Sequence, residues 1–180
     1  MFPNFMRYWN NPTWNVAIRP AITWYVDSNS VSSNIEGLII WIHSALEVLS
    51  WVYFVRENRI SQKDFENTRI YPAHKKICKL ISEFGISSKL HSCLSNLVQL
   101  ATQLANNNEQ MDGPKTFSRV RNKIVHADLN ARVLTAPSQA KYEAYTLGLW
   151  YLEMLLLQLF KCQEGDYIDR LYLWEKNKVK

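Results

Sequence analysis

An all-α bundle of five to six helices is the fold this sequence predicts, on three observations. Its 180 residues include only five Gly and six Pro, too few for the tight turns of an all-β sandwich. Apolar residues recur at helical spacing in one segment after another, and no stretch demands a strand. Ser-x-x-acid pairs and Pro or Gly punctuation mark where helices begin and end. Hydrophobic residues at 47% and charged residues at 21% describe one folded domain with a core large enough to need neither disulfides nor metal. No self-similar period of about 20–50 residues marks a repeat array.

Residues 1–19 are rich in aromatics and Asn and carry Pro3 and Pro12. They are expected to form an irregular arm or an interdomain remnant, ahead of a helical domain over 20–173 and a frayed tail at 174–180. Pro20 suits the first position of a short helix from Ala21 to about Asn29, and the SNSVSSN stretch that follows reads as a turn. Ser33 and Glu36 make a capping box before a long apolar run, predicting a helix to about Glu57. Its polar exceptions, Glu36, His43, Glu47 and Ser50, fall at i, i+7, i+11 and i+14, one narrow seam. That seam faces water, a partner helix or a cleft, and solvation is the simplest of the three.

Ser61 with Asp64 opens the next helix, Pro72 breaks it, and it resumes to about Phe84 before Gly85. Leu90 to about Ala105 is amphipathic, with Leu94, Leu97, Val98, Ala101 and Leu104 on one side. The polar 106–113 stretch is a loop, and Pro114 opens the helix that ends near His126. After a connection at 127–136, Pro137 starts a long helix to about Cys162, and GDYIDRLYLW closes the fold.

Two apolar stretches, Leu38 to Val55 and Leu147 to Phe160, read as core helices rather than membrane spans. The first carries His43 and Glu47; the second carries Glu153 and is too short. Three cysteines, Cys78, Cys93 and Cys162, form neither a disulfide framework nor a zinc pattern, so a reducing cytoplasm is expected. The start, MFPNFMRYWNN, lacks the features of a signal peptide.

The formal net charge of +5 mildly favours an anionic partner, nucleic acid first. Its distribution is more informative: Lys115, Arg119, Arg121, Lys123 and His126 lie between Gly113 and Ala127 with no Asp or Glu. Within that block stands Arg121-Asn122-x-x-x-His126. Arg69 and His74 repeat the spacing, but Pro72 between them spoils any fixed relation. On one helix Phe117, Val120 and Ile124 pack inward, Arg121 and Val125 flank them, and Asn122 and His126 lie one turn apart. Each residue also has a plain structural reading: His126 as a helix C-cap, Arg121 in a salt bridge to Glu47 or Glu153, and Asn122 at the surface.

Arg-Asn-x-x-x-His, late in an all-α chain and followed by a Leu-rich helix, resembles the HEPN domain. The blocks GLIIWIHSALEVLSW, DGPKTFSRVRNKIVHAD and YLEMLLLQLF…GDYIDRL agree. Together they resemble the C-terminal HEPN domain of ApeA-type anti-phage proteins over about residues 20–173. The resemblance implies a metal-independent endoribonuclease without cofactor, cutting RNA (tRNA among the candidates) in anti-phage defence or as a toxin. It also implies a homodimer whose two motifs share a composite cleft, and a preceding sensor domain or cognate regulator; no membrane is involved. Arg121, Asn122 and His126 match the catalytic motif. Glu47 is a candidate for orienting Arg121, and Lys115, Arg119, Lys123 and Arg132 are candidates for tracking the RNA backbone. Two other readings are a non-catalytic HEPN module that binds RNA, nucleotide or a cognate protein, and a plain interaction bundle.

Overall fold

The computed structural model describes residues 2–30, 34–105, 109–126, 138–163 and 167–172. Among them the regular elements are all helical. The expected irregular arm is instead two helices, α1 (Phe2–Asn10) and α2 (Pro12–Ser28). Asn11 separates them and caps α2, its Oδ1 accepting from the Thr13 and Trp14 amides at 2.8 and 3.1 Å. The boundary expected at residue 20 falls inside α2, because Trp14, Ala17, Ile18 and Ala21 are buried in the common core. Pro20 is tolerated mid-helix: the carbonyl it leaves without a donor belongs to Val16, which is 60% exposed and open to water. Core burial outweighs proline punctuation here.

The central pair is α3 (Ile35–Trp51) and α8 (Ser138–Leu159), which pack on each other and on most other helices. Asn34 caps α3 by accepting from the Glu36 amide; Ser33, expected in that role, lies outside the described residues. A π-helical segment, Val52–Arg56, continues α3 and buries Val52, Tyr53, Phe54 and Val55 in succession. The wider turn ends with the Arg59 and Ile60 amides both donating to the Phe54 carbonyl at 2.9 and 2.8 Å. Ile35–Arg56 is long and apolar enough to cross a membrane by length and composition, yet most of it is buried inside the fold.

Ser61 and Asp64 cap α4 (Gln62–Glu66) as expected, but that helix is a single short turn rather than a run to Pro72. Pro72 is the N-cap of α5 (Ala73–Glu83), and Gly85 follows it with φ +69°. The next helix, α6 (Ser95–Leu104), begins five residues later than expected and lacks a cap of its own. Its first amides are served from α8: Glu143, fully buried, accepts from the Leu97 amide and from Asn96 Nδ2, each at 2.8 Å.

Helix α7 (Gly113–Val125) is capped by Asp112, whose Oδ1 accepts from the Lys115 amide at 2.8 Å. It packs on α8 closely because Gly148 has no side chain; a Cβ there would stand 2.4 Å from the buried ring of Phe117. The connection at 127–136, Pro137 and the 174–180 tail lie outside the described residues. Residues 167–172 return to the bundle: Asp169 accepts from Trp150 Nε1, and Arg170 binds Glu153 and Asn29. Cys78, Cys93 and Cys162 are in no disulfide.

Candidate functional site

The polar seam of α3 is only partly open to water, through Glu36 and Glu47, while His43 and Ser50 are buried. Glu36 at its start pairs with Lys141 of α8 at 2.7 Å. His43 is fully buried against α7, its Nε2 3.2 Å from Ser118 Oγ. Its Nδ1 lies 3.1 Å from Glu47 Oε2 one turn later, close enough for an ion pair but off the line of a hydrogen bond. Ser50 is buried and turns its hydroxyl to the Leu46 carbonyl, with the Lys76 carbonyl of α5 at 3.5 Å. The solvated reading of the seam therefore fails for His43 and Ser50: it lies where α3, α5 and α7 meet.

Glu47 keeps an opening to solvent, with 34% of its side chain exposed. Burial opposes its ionisation, but the contact with His43 and the charges of His43, Arg121 and Lys76 outweigh burial and hold its carboxyl below the ordinary value. Arg121, one turn beyond Ser118 on α7, is half-buried. Among the described residues it forms no ion pair with Glu47 or Glu153, so neither expected salt bridge is present; Glu153 is taken by Tyr25 and Arg170. Its Nη1 donates to Asn122 Oδ1 at 3.1 Å, and its buried Nε has no partner among the described residues.

His126 occupies the C-cap of α7 with extended backbone, its amide donating to the Asn122 carbonyl at 2.9 Å. Its ring is exposed, and so is Asn122. Asn122 thus joins the other two motif residues, through its side chain to Arg121 and through its carbonyl to His126. Arg121 lies one turn before the end of α7 and is half-buried, whereas His126 follows the helix end on extended backbone and is exposed.

The basic block is less free than its sequence implies. Glu109 folds back across the loop and pairs with Lys115 at 2.9 Å and with Arg119 at 2.5 Å, while Arg119 also donates to the Leu104 carbonyl. Lys123 is half-buried, and Arg132 lies outside the described residues. Behind the block His74 of α5 is held below its ordinary pKa, first by burial and then by the charges of Lys115, Lys75 and Arg119, against Asp112. Arg69 sits in the turn before Pro72, apart from that helix.

Gly113 is needed at the start of α7, where a Cβ would meet the Tyr151 hydroxyl at 1.9 Å. No group of three or more His, Cys, Asp or Glu side chains gathers among the described residues. A cleft of about 470 Å³ at the end of α3, lined by Trp51, Arg56, Asn58 and Gln62, does not include the motif. Of the motif, Asn122 and His126 are exposed and Arg121 is half-buried.

Sequence inspection isolates Arg121, Asn122, His126 and Glu47 but misses Ser118, because a bond between residues 75 positions apart leaves no local signal. His43 had one: it precedes Glu47 by one turn in the seam.

The family model described as the YopA C-terminal domain matches residues 11–180. The SPbeta prophage-derived uncharacterized protein YopA of Bacillus subtilis (strain 168) is 31% identical over 174 residues, 95% of this chain and 36% of that protein. The chain thus spans little more than a third of that relative's length. No solved structure matches it.

Proposed function

We propose that this chain, which belongs to the YopA C-terminal domain family, is a metal-independent endoribonuclease of HEPN type, with Arg121, Asn122 and His126 in the catalytic motif. The supporting observation is the exposed end of α7, where Asn122 is bonded to both Arg121 and His126.

The chemistry requires little more. A base removes the proton from a ribose 2′-OH, whose oxygen attacks the adjacent phosphorus. The 5′-oxygen leaves with a proton from an acid, and the product carries a 2′,3′-cyclic phosphate. The exposed His126 imidazole has a nitrogen to accept one proton and a nitrogen to donate another. The Arg121 guanidinium offers paired donors to the equatorial phosphoryl oxygens, where charge accumulates. In-line attack needs a backbone free of A-form constraint, so unpaired loops of tRNA or other structured RNA suit the site. One histidine per motif supplies one proton-transfer group; a second copy of the chain supplies the other, in a composite cleft about a two-fold axis. A relative of prophage origin accords with a cytoplasmic role in conflict between phages or as a toxin.

The test is cleavage of tRNA in EDTA by wild type and His126→Ala. Wild type should cut, leaving a 2′,3′-cyclic end, and the variant should be slower by about 10²–10⁴-fold. Arg121→Lys should also impair cutting, because an ammonium lacks the bidentate fork. Equal products from wild type and both variants would remove the proposal. The different settings of half-buried Arg121 and exposed His126 favour a second reading, a non-catalytic HEPN module that holds RNA, nucleotide or a cognate protein. Salt-sensitive RNA binding without cutting would select it.

A further inference from the structure

Three of the residues expected to track the RNA backbone, Lys115, Arg119 and Lys123, sit on α7, yet Lys115 and Arg119 share the single carboxylate of Glu109. The uncommitted charge lies on the neighbouring helix. Lys75 and Lys76, in the first turns of α5, form no ion pair with any described residue; Lys75 is exposed, and Lys76 rests its ammonium over Phe65 with 4.6 Å to the ring centroid. Their position relative to the motif follows from two cross-helix contacts. Ser50 of α3 reaches the Lys76 carbonyl, one turn past Glu47, and His43 reaches Ser118, one turn before Arg121. Glu47 is thus flanked by Lys76 on one side and Arg121 on the other.

We propose that the opening of α5, His74, Lys75 and Lys76, is the phosphate-contacting surface that leads an RNA strand to Arg121. This inference rests on the nuclease reading for its destination but not for its chemistry. Cations crowded on one helical turn repel one another, and a polyanion with regularly spaced charges relieves that repulsion. Burial first, and then the charges of Lys115, Lys75 and Arg119 against that of Asp112, hold His74 below its ordinary pKa. An exposed Lys75, with a Lys76 that shares Glu47 with Arg121, suits a strand passing over the surface better than a small anion held in a pocket.

The experiment measures binding of a fluorescent single-stranded oligoribonucleotide by the full chain carrying His126→Ala, across a salt series. Removing one lysine–phosphate pair should reduce the log–log salt slope by about 0.7. Lys75→Gln with Lys76→Gln should lower the slope by about 1.4, while Lys75→Arg with Lys76→Arg keeps it. Circular dichroism should show all three proteins helical at the assay temperature, the double-Gln variant melting slightly lower for loss of the Lys76–Phe65 contact. An unchanged slope in the folded double-Gln variant overturns the proposal; if wild type still cuts RNA, the nuclease reading survives that result. Salt-dependent binding that requires these lysines, in a wild type that never cuts, supports the surface and rejects the nuclease. Binding of polyglutamate but not RNA rejects the surface.

Discussion

His43 fixes the register between α3 and α7, because its two ring nitrogens meet Ser118 across the interface and Glu47 along its own helix. Replacing it by Ala leaves a void and an unpaired Ser118 hydroxyl in a fully buried place. The expected cost is about 3 kcal/mol, a fall in melting temperature on the order of 10 °C; an unchanged melting curve would contradict the contact. Glu47 gives a pH signature. Its folded carboxyl sits below the ordinary 4.5, so its stabilising contribution is present above that value and disappears as pH falls through the folded one. Glu47→Gln should therefore be less stable than wild type at neutral pH, by about 1 kcal/mol or less given its solvent opening. In urea titrations the gap should close in acid. The Arg121, Asn122, His126 and Glu47 group was legible in the sequence because helical spacing alone relates its members or places them on one seam. The His43–Ser118 contact depends on how two distant helices meet, which no local pattern encodes.

Helices α7 and α8 approach through a glycine, and the contrast with another helical glycine makes the point testable. Gly148→Ala should destabilise by about 1–3 kcal/mol, because its Cβ meets the immovable ring of Phe117. Gly37→Ala on α3 has nothing within 4 Å of the added carbon and should stabilise by about 0.5–1 kcal/mol. Denaturant midpoints of opposite sign check both. The Glu109 tether makes a third case: Glu109→Gln releases Lys115 and Arg119 and should steepen the salt dependence of RNA binding. A slope identical to wild type would mean that those two cations face away from the strand. The ends of α4 and α5 follow their Ser-x-x-Asp and Gly signals, since caps act within a few residues. The α1–α2 pair breaks that rule. Its prolines and asparagines read as irregular, but Asn11 caps the second helix and the buried face of Trp14, Ala17 and Ile18 decides the matter.

Across the whole molecule the helices follow the sequence's composition and periodicity, so the all-α architecture was the most readable property. The π-helical widening at Val52–Arg56 was not, since it answers the demands of four consecutive buried side chains. Assembly of two chains is a further expectation of the nuclease proposal. Light scattering should give twice the 21.1 kDa chain mass under the conditions of cleavage. A fully active monomer would dismiss the composite cleft while leaving the motif in place.

The buried carboxylate of Glu143 has a bearing on ancestry. Because α8 supplies the terminus of α6 with its missing acceptor, a foreign α8 is compatible with this α6 only if it too carries an acceptor at this place. Chimaeras that lack one should melt at a lower temperature than the parent chain.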